Sequence, residues 1–228
     1  MESEMTETTV RERPVTSRRI MVGDVPIGGG AQIVVQSMTN TPTHDVEATV
    51  QQIYDLNAAG AELVRVSVNG SKALKGFREI VPRSPVPLIA DIHFDYRMAL
   101  GAADAGAACV RINPGNIGSD DRFRKVIEKC QEKGIAMRIG VNSGSVEKRF
   151  WHLPKAEAMV ASALHKVEIA EEMGFYDFKV SLKASHVPVM VEANKKFREH
   201  SDAPLHLGVT EAGTKLPGAI KSAAALGQ

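Results

Sequence analysis

The chain has 228 residues, 43% of them hydrophobic and 24% charged, and its 28 basic side chains nearly cancel its 27 acidic ones. This balance excludes a globally basic surface for nucleic acid or anionic membrane, and no apolar run approaches the length of a membrane span. Length and apolar content suit one large α/β domain or two small ones. Two cysteines, Cys109 and Cys130, are separated by twenty residues with no CxxC pair, which gives neither a disulfide framework nor a zinc pattern. Two thiols are also too few for an iron–sulfur cluster, which takes about four protein ligands. Both read as packing residues, and the composition reads as that of a reduced, cytosolic protein.

In chain order, the opening "MESEMTETTVRERP" is polar and acidic, with no apolar core of a signal peptide. Residues 1–17 are expected to be a disordered tail and 18–228 the folded domain. "VGDVPI" has the turn chemistry of a β-hairpin around Gly23 and Asp24, expected to plug the floor of a barrel, and "IGGGA" (27–31) reads as a structural turn. Strands are then predicted at 32–37, 62–67, 87–91, 109–113, 136–140, 176–181 and 205–209. They are short and rich in Val, Ile and Leu, as in a parallel sheet covered on both faces. Helical patterns alternate with them at 45–59, 71–81, 95–105, 120–133, 155–173, 187–200 and 216–226.

Four units repeat one phrase, "AGAELVRVSVN", "AGAACVRINPG", "KGIAMRIGVNSG" and "MGFYDFKVSLKAS", in which a helix-ending glycine precedes an Arg or Lys inside the next strand. Seven such βα units, with no glycine-rich dinucleotide fingerprint after the first strand, point to a (β/α)8 TIM-type barrel rather than an open sheet. An eighth strand is not found in these residues.

Side chains two apart share a strand face. One face therefore carries Arg65–Ser67–Asn69, Asp91–His93, Arg111–Asn113, Arg138–Gly140–Asn142 and Lys179–Ser181–Lys183, while the residues between are apolar. The polar face is expected to point into the barrel near the strands' C-terminal ends, where barrel active sites lie. Cations outnumber the carboxylates Asp91 and Glu211 there, so the pattern implies a phosphate or diphosphate ligand held by charge-assisted bonds. Elsewhere, Gly115 and Gly118 sit before a helix start in a loop that reads equally as site-forming or plain. "EKRFWHLP" (147–154) reads as a lid or a packed loop. His152 and His165 read as surface residues, and Arg122, Arg124 and Lys125 as a solvated helix face.

The phrases "VPIGGGAQIVVQSMTNTPT", "ADIHFDYRMAL", "VRINPGNIG", "RIGVNSGSVE", "VSLKAS" and "LHLGVTEAG" occur in this order. Together they resemble the 4-hydroxy-3-methylbut-2-enyl diphosphate synthase family of the non-mevalonate isoprenoid pathway, from about Arg18 onward. The resemblance implies reductive ring-opening of 2-C-methyl-D-erythritol 2,4-cyclodiphosphate, with electrons from flavodoxin or ferredoxin passing through a [4Fe–4S] cluster. It implies that Arg65, Arg111, Arg138 and Lys183 hold the diphosphate, that Asn142 and Thr210 hydrogen-bond in the same pocket, and that Asp91, His93 and Asn113 line it. It assigns Glu211 a catalytic role near the reacting carbons, as acid or as electrostatic stabiliser. The family is a cytoplasmic homodimer whose cluster ligands, three cysteines and a glutamate, lie in a further domain. On this reading the present residues are the barrel portion, inactive alone as a reductase. A dihydropteroate-synthase-like transferase and a non-catalytic phosphate-binding module are the alternatives.

Overall fold

The computed structural model describes residues 16–228, so positions 1–15 of the expected tail lie outside the described residues. A two-stranded antiparallel hairpin, β1 (Ile20–Val22) and β2 (Val25–Ile27), opens the described chain and turns at Gly23 and Asp24 as predicted. A parallel sheet follows in simple sequential order: β3 (Gln36–Met38), β4 (Leu63–Ser67), β5 (Leu88–Ile92), β6 (Cys109–Ile112), β7 (Ala136–Asn142) and β8 (Phe178–Lys183). The connecting helices are α1 (Val46–Ala58), α2 (Ser71–Ile80), α3 (Tyr96–Asp104), α4 (Pro114–Ile117), α5 (Asp120–Lys133), α6 (Lys155–Glu172) and α7 (Val187–Arg198), and α8 (Lys215–Leu226) closes the chain. Asp45 and Asp95 cap α1 and α3, accepting from the amides of Ala48 and Arg97 at 3.2 and 3.0 Å. Each supplies an oxygen to an otherwise orphaned helix donor.

The repeated glycine has a physical cause. Gly60, Gly106, Gly134 and Gly174 all have positive φ, between 62° and 97°, where a β-carbon would crowd the backbone. Each turns the chain from a helix into the next strand, so β4, β6, β7 and β8 enter the sheet alike.

β8 runs two residues later than the predicted 176–181, and two strands differ more. The first begins at Gln36 rather than residue 32, because the Val35 amide donates to Glu62 Oε2 (2.9 Å) and not to a ladder. Segment 205–209 does run parallel beside β8, but it forms a single bridge, Leu205 to Val180. Val180 donates to Pro204 O (2.9 Å) and His206 donates back to Val180 O (2.7 Å), and the next bond is Thr210 to Ala184 O (3.3 Å). Between these, Gly208 faces the Lys183 side chain; a β-carbon there would lie 3.0 Å from Lys183 Nζ.

The two faces of the sheet have separate cores. Val64, Val66, Val110, Ile112, Met137, Ile139, Val180 and Leu182 pack outward with helix residues such as Ile53, Phe77, Phe123, Met159 and Phe197. Inside, Ile20 and Val22 of the hairpin pack on Leu63, Ile89, Cys109 and Ala136. Each of these four strand residues stands two positions before Arg65, Asp91, Arg111 or Arg138, on the same face. The hairpin therefore seals a dry floor directly beneath the charged layer. Full burial of each large aliphatic side chain there is worth about 1.5–3 kcal/mol.

Gly76 shows how closely the helix layer is fitted. A β-carbon on it would meet Thr43 O at 2.2 Å, a contact with backbone that no rotamer change relieves. Gly76→Ala is expected to lower the urea midpoint: overpacking costs about 1–3 kcal/mol, more than the ~1 kcal/mol gained in helix propensity. An unchanged or raised midpoint would show that α2 can shift away.

Candidate functional site

Register places the polar side chains in one transverse row. Ser67 pairs with Asp91, Asp91 with Arg111, Arg111 with Arg138, and Arg138 with Lys179. Five strands thus present one anion and three cations at the same height, with Arg65 beside them and Lys183 above, opposite Asn142. Lys183, on β8, lies close enough to Arg65, on β4, for their charges to interact, so the sheet curls around this face.

Asp91 is the hub. Its Oδ1 accepts from Arg111 Nη1 at 3.0 Å, and its Oδ2 lies 3.6 Å from Arg65 Nε and 3.3 Å from His93 Nε2. Burial acts to raise its pKa. The hydrogen bond from His93 and the charges of Arg65, Arg111 and Arg138 more than offset that, holding the carboxyl well below the usual range. Arg111 reaches further, donating from Nη2 to Gly140 O at 3.3 Å. It can do so because position 140 is glycine: a β-carbon there would stand 2.5 Å from Arg111 Nε. Arg65 also donates to the Met38 sulfur, at 3.2 Å from Nε and 2.8 Å from Nη2. Thioether sulfur is a weak acceptor, which leaves this guanidinium underpaired.

The rest of the positive charge is not neutralised. Arg138 is 1% exposed, and its Nε and Nη1 have no hydrogen-bond partner. Burial and then the charges of Arg65 and Arg111 push its pKa down to about 9. Burial and then the charges of Arg138, Arg65 and Arg111 push Lys183 down to about 7, and burial brings Lys179 to about 8. His206, missed in the sequence, faces this cluster as well. Burial, then Arg138, Lys183, Lys179 and Arg65, drive its pKa far down, so its imidazole is neutral. Five cationic side chains thus surround one carboxylate, and buried guanidinium donors point at nothing. A buried orphan donor costs about 1–3 kcal/mol, more when charged, unless a ligand or water accepts its proton. The arrangement can bind an anion.

The other expected site residues stand apart from this row. Asn113 donates from Nδ2 to Ser145 Oγ (2.7 Å) and accepts from the Gly115 amide (3.1 Å), so both ends of its amide are engaged in joining two loops. Asn142 is half-buried beside Lys183. Thr210 is half-buried, while Glu211 is exposed with φ of 51°, a left-handed conformation rare for a residue with a β-carbon. His165 is not a free surface residue: it is half-buried, with Nε2 2.9 Å from Asp120 Oδ2. Arg122 and Lys125 stack over the Tyr96 ring at 5.9 and 5.8 Å. In the 147–154 loop Glu147 turns inward, whereas Trp151 stays largely exposed and donates to Val146 O (2.9 Å). Lys179 was legible by its spacing two before Ser181 and four before Lys183, but Met38, Ser145 and His206 carry no pattern that marks them.

The described residues do not fit an iron–sulfur cluster. Both free cysteines are buried, and burial raises both thiols well above the ordinary range, the reverse of what a thiolate ligand needs. Cys109 belongs to the apolar floor and Cys130 to the outer core. No group of three or more His, Cys, Asp or Glu is disposed to hold a metal among the described residues. No described helix is long and apolar enough to cross a membrane.

Known proteins share both this wall and this sequence. A dihydropteroate synthase from Xanthomonas albilineans superposes with a TM-score of 0.66 over 91% of this chain and 86% of its own, at 14% identity. A DAHP synthase from Thermotoga maritima gives 0.60 at 13% identity, over 90% of this chain and 60% of its own. At such identities the likeness concerns fold alone. In sequence, the 4-hydroxy-3-methylbut-2-en-1-yl diphosphate synthase (flavodoxin) of Idiomarina loihiensis is 54% identical over 226 residues, 98% of this chain and 60% of the relative. The enzyme of the same name from Vibrio cholerae is 51% identical over 224 residues, 97% of this chain and 59% of the relative. The chain thus spans about 60% of the length of the curated relatives it matches. The family model described as the GcpE TIM-barrel domain matches residues 17–228, and the chain belongs to that family.

Proposed function

We propose that these residues form the substrate-binding barrel of a 4-hydroxy-3-methylbut-2-enyl diphosphate synthase and bind 2-C-methyl-D-erythritol 2,4-cyclodiphosphate. The observation that carries this reading is Arg138, buried with two unpartnered guanidinium nitrogens in a cage of four further cations. A cyclic diphosphate supplies the missing negative charge. Arg65, Arg111, Arg138 and Lys183 hold it, Asp91 and His93 orient the arginines, and Asn142 and Thr210 add neutral hydrogen bonds. Asn113 shapes the rim through Ser145. Glu211, at the mouth, serves the reacting carbons once substrate is bound.

The reaction is a two-electron reduction, and a [4Fe–4S] cluster would deliver those electrons singly; no residue described here holds one. Flavodoxin, which the relatives' names carry, is the proposed electron donor, with ferredoxin as the alternative. A cytoplasmic homodimer is the proposed assembly, and two free, buried cysteines accord with a reducing compartment.

Calorimetry with the cyclic diphosphate tests the binding role, with an expected Kd on the order of micromolar. Arg111→Ala should weaken it about 30-fold or more, the ~2 kcal/mol lost on truncating one partner of a buried charge pair. Gly140→Ala should act in the same direction by pushing Arg111 off Asp91, with the fold retained by circular dichroism. Binding of a pterin in place of the diphosphate would overturn the reading.

Protonation gives an independent check. Lys183 and Lys179 are partly neutral near pH 7–8 in the free protein, and a bound anion favours their charged forms. Sulfate, whose charge is constant in this range, should therefore bind with proton uptake, and its affinity should fall as pH rises above about 7. Stability follows the opposite sign. The folded chain binds fewer protons than the unfolded one between about 7 and the ordinary lysine value of 10.5, so ligand-free stability rises with pH across that window. Proton counts from calorimetry in buffers of different ionisation enthalpy measure the effect; zero uptake would show both lysines already charged.

A further inference from the structure

A second buried charge lies in the helix layer, away from the anion cage. Lys166, on α6, is fully buried among the apolar residues of that helix, Ala163, Val167 and Ala170 included. Its Nζ bonds to Asp120 Oδ1 and lies 3.3 Å from Glu147 Oε1, with the Phe123 ring 5.5 Å away. These two carboxylates follow different strands. Asp120 opens α5, where the segment that leaves β6 at Asn113 ends, and Glu147 lies in the loop that leaves β7 after Asn142. The loops also meet at the rim. Asn113 Nδ2 donates to Ser145 Oγ at 2.7 Å, Ser145 donates from its amide to Asn142 O at 3.0 Å, and Gly115 abuts Ser145 O so closely that a β-carbon would overlap it.

We infer that Lys166 is a positioning residue: its ammonium clamps the β6 and β7 loops together and so fixes where Asn142 and Ser145 stand over the anion cage. The chain of contact is continuous, from Lys166 to Glu147 and, two residues back along the backbone, to Ser145, Asn142 and Asn113. Three further polar side chains bind the same two carboxylates. Ser162 Oγ donates to Glu147 Oε2 (2.5 Å), Arg149 donates to Glu147 Oε1 (2.8 Å), and His165 bonds Asp120 at 2.9 Å. The carboxylates respond as strongly paired groups. Burial opposes ionisation of both, yet Lys166 and His165 bring Asp120 down to about 2, and Ser162 and Lys166 lower Glu147. A lysine needed only for stability could be replaced here by an apolar residue of similar size, since buried ion pairs are often no better than packed hydrocarbon. What hydrocarbon cannot do is hold two particular loops at one point.

The inference rests on the anion cage being a binding site, and the test separates the two. Inorganic diphosphate is titrated into the full chain and into Lys166→Met, Glu147→Gln, Asn142→Ala and the double variants. Glu147→Gln leaves Lys166 paired with Asp120 and decides the matter if Lys166→Met does not fold. Each clamp variant is expected to weaken binding about tenfold, and Asn142→Ala should then cost less than about twofold further, the non-additivity of residues acting as one unit. Lys166→Arg should restore both affinity and coupling. Additive effects would mean that Lys166 only supports the fold, and unchanged affinity would remove it from the site. Hydrogen exchange at the Ser145 amide gives a readout without ligand: it should speed up in Glu147→Gln while β-sheet amides stay protected. If wild type binds no diphosphate, the cage reading fails, and Ser145 exchange still decides the clamp, with unchanged exchange overturning it.

Discussion

The architecture is governed by positive charge held, unneutralised, above an apolar floor. Three cations of the Ser67–Asp91–Arg111–Arg138–Lys179 row are fixed by strand register, so they cannot drift apart to relieve their repulsion. Beneath them Leu63, Ile89, Cys109 and Ala136 are closed by the hairpin, and low polarity on that side lengthens the reach of each charge. Much of the surrounding chemistry follows from this. Asp91 is shared among Arg65, Arg111 and His93, Gly140 opens the path that Arg111 needs, and Met38 offers Arg65 a weak acceptor. Uncompensated charge of this kind is costly to the free protein, and any anion that binds only the folded state adds to its stability in proportion to the logarithm of its concentration over its Kd.

Much of this was legible from spacing. The period-two alternation put Arg65, Asp91, Arg111, Arg138 and Lys183 on one face, and the structure keeps them there because each outward neighbour, such as Val64 or Ile139, is demanded by the helix core. The hairpin was legible from its turn residues. Features set by contacts distant in sequence were not. The start of the first strand depends on Glu62 capturing the Val35 amide, and the broken pairing of 205–209 coincides with Lys183 occupying the space beside Gly208. Asn113 looks like a ligand-facing residue from its strand position, yet its amide is spent on Gly115 and on Ser145, thirty-two residues away. Lys166 sits in an ordinary helical pattern, and only partners 46 and 19 positions distant make it a buried charge.

Fold and chemistry divide cleanly here. The dihydropteroate synthase wall can be laid over this one at 14% identity, so the strand–helix frame carries no reaction of its own. The difference lies in which residues the same strand tips present. Glu211 illustrates this on a small scale. It holds a left-handed backbone that glycine would adopt without strain, a cost of about 1–2 kcal/mol carried in an exposed turn.

The hairpin has one more consequence. Ile20 and Val22 stop the lower end, so the charged row is closed from below by hydrocarbon, while strand pairing does not join the edge strands β3 and β8 to each other. A change to the floor therefore alters how strongly each charge in the row is felt without touching any residue that carries one.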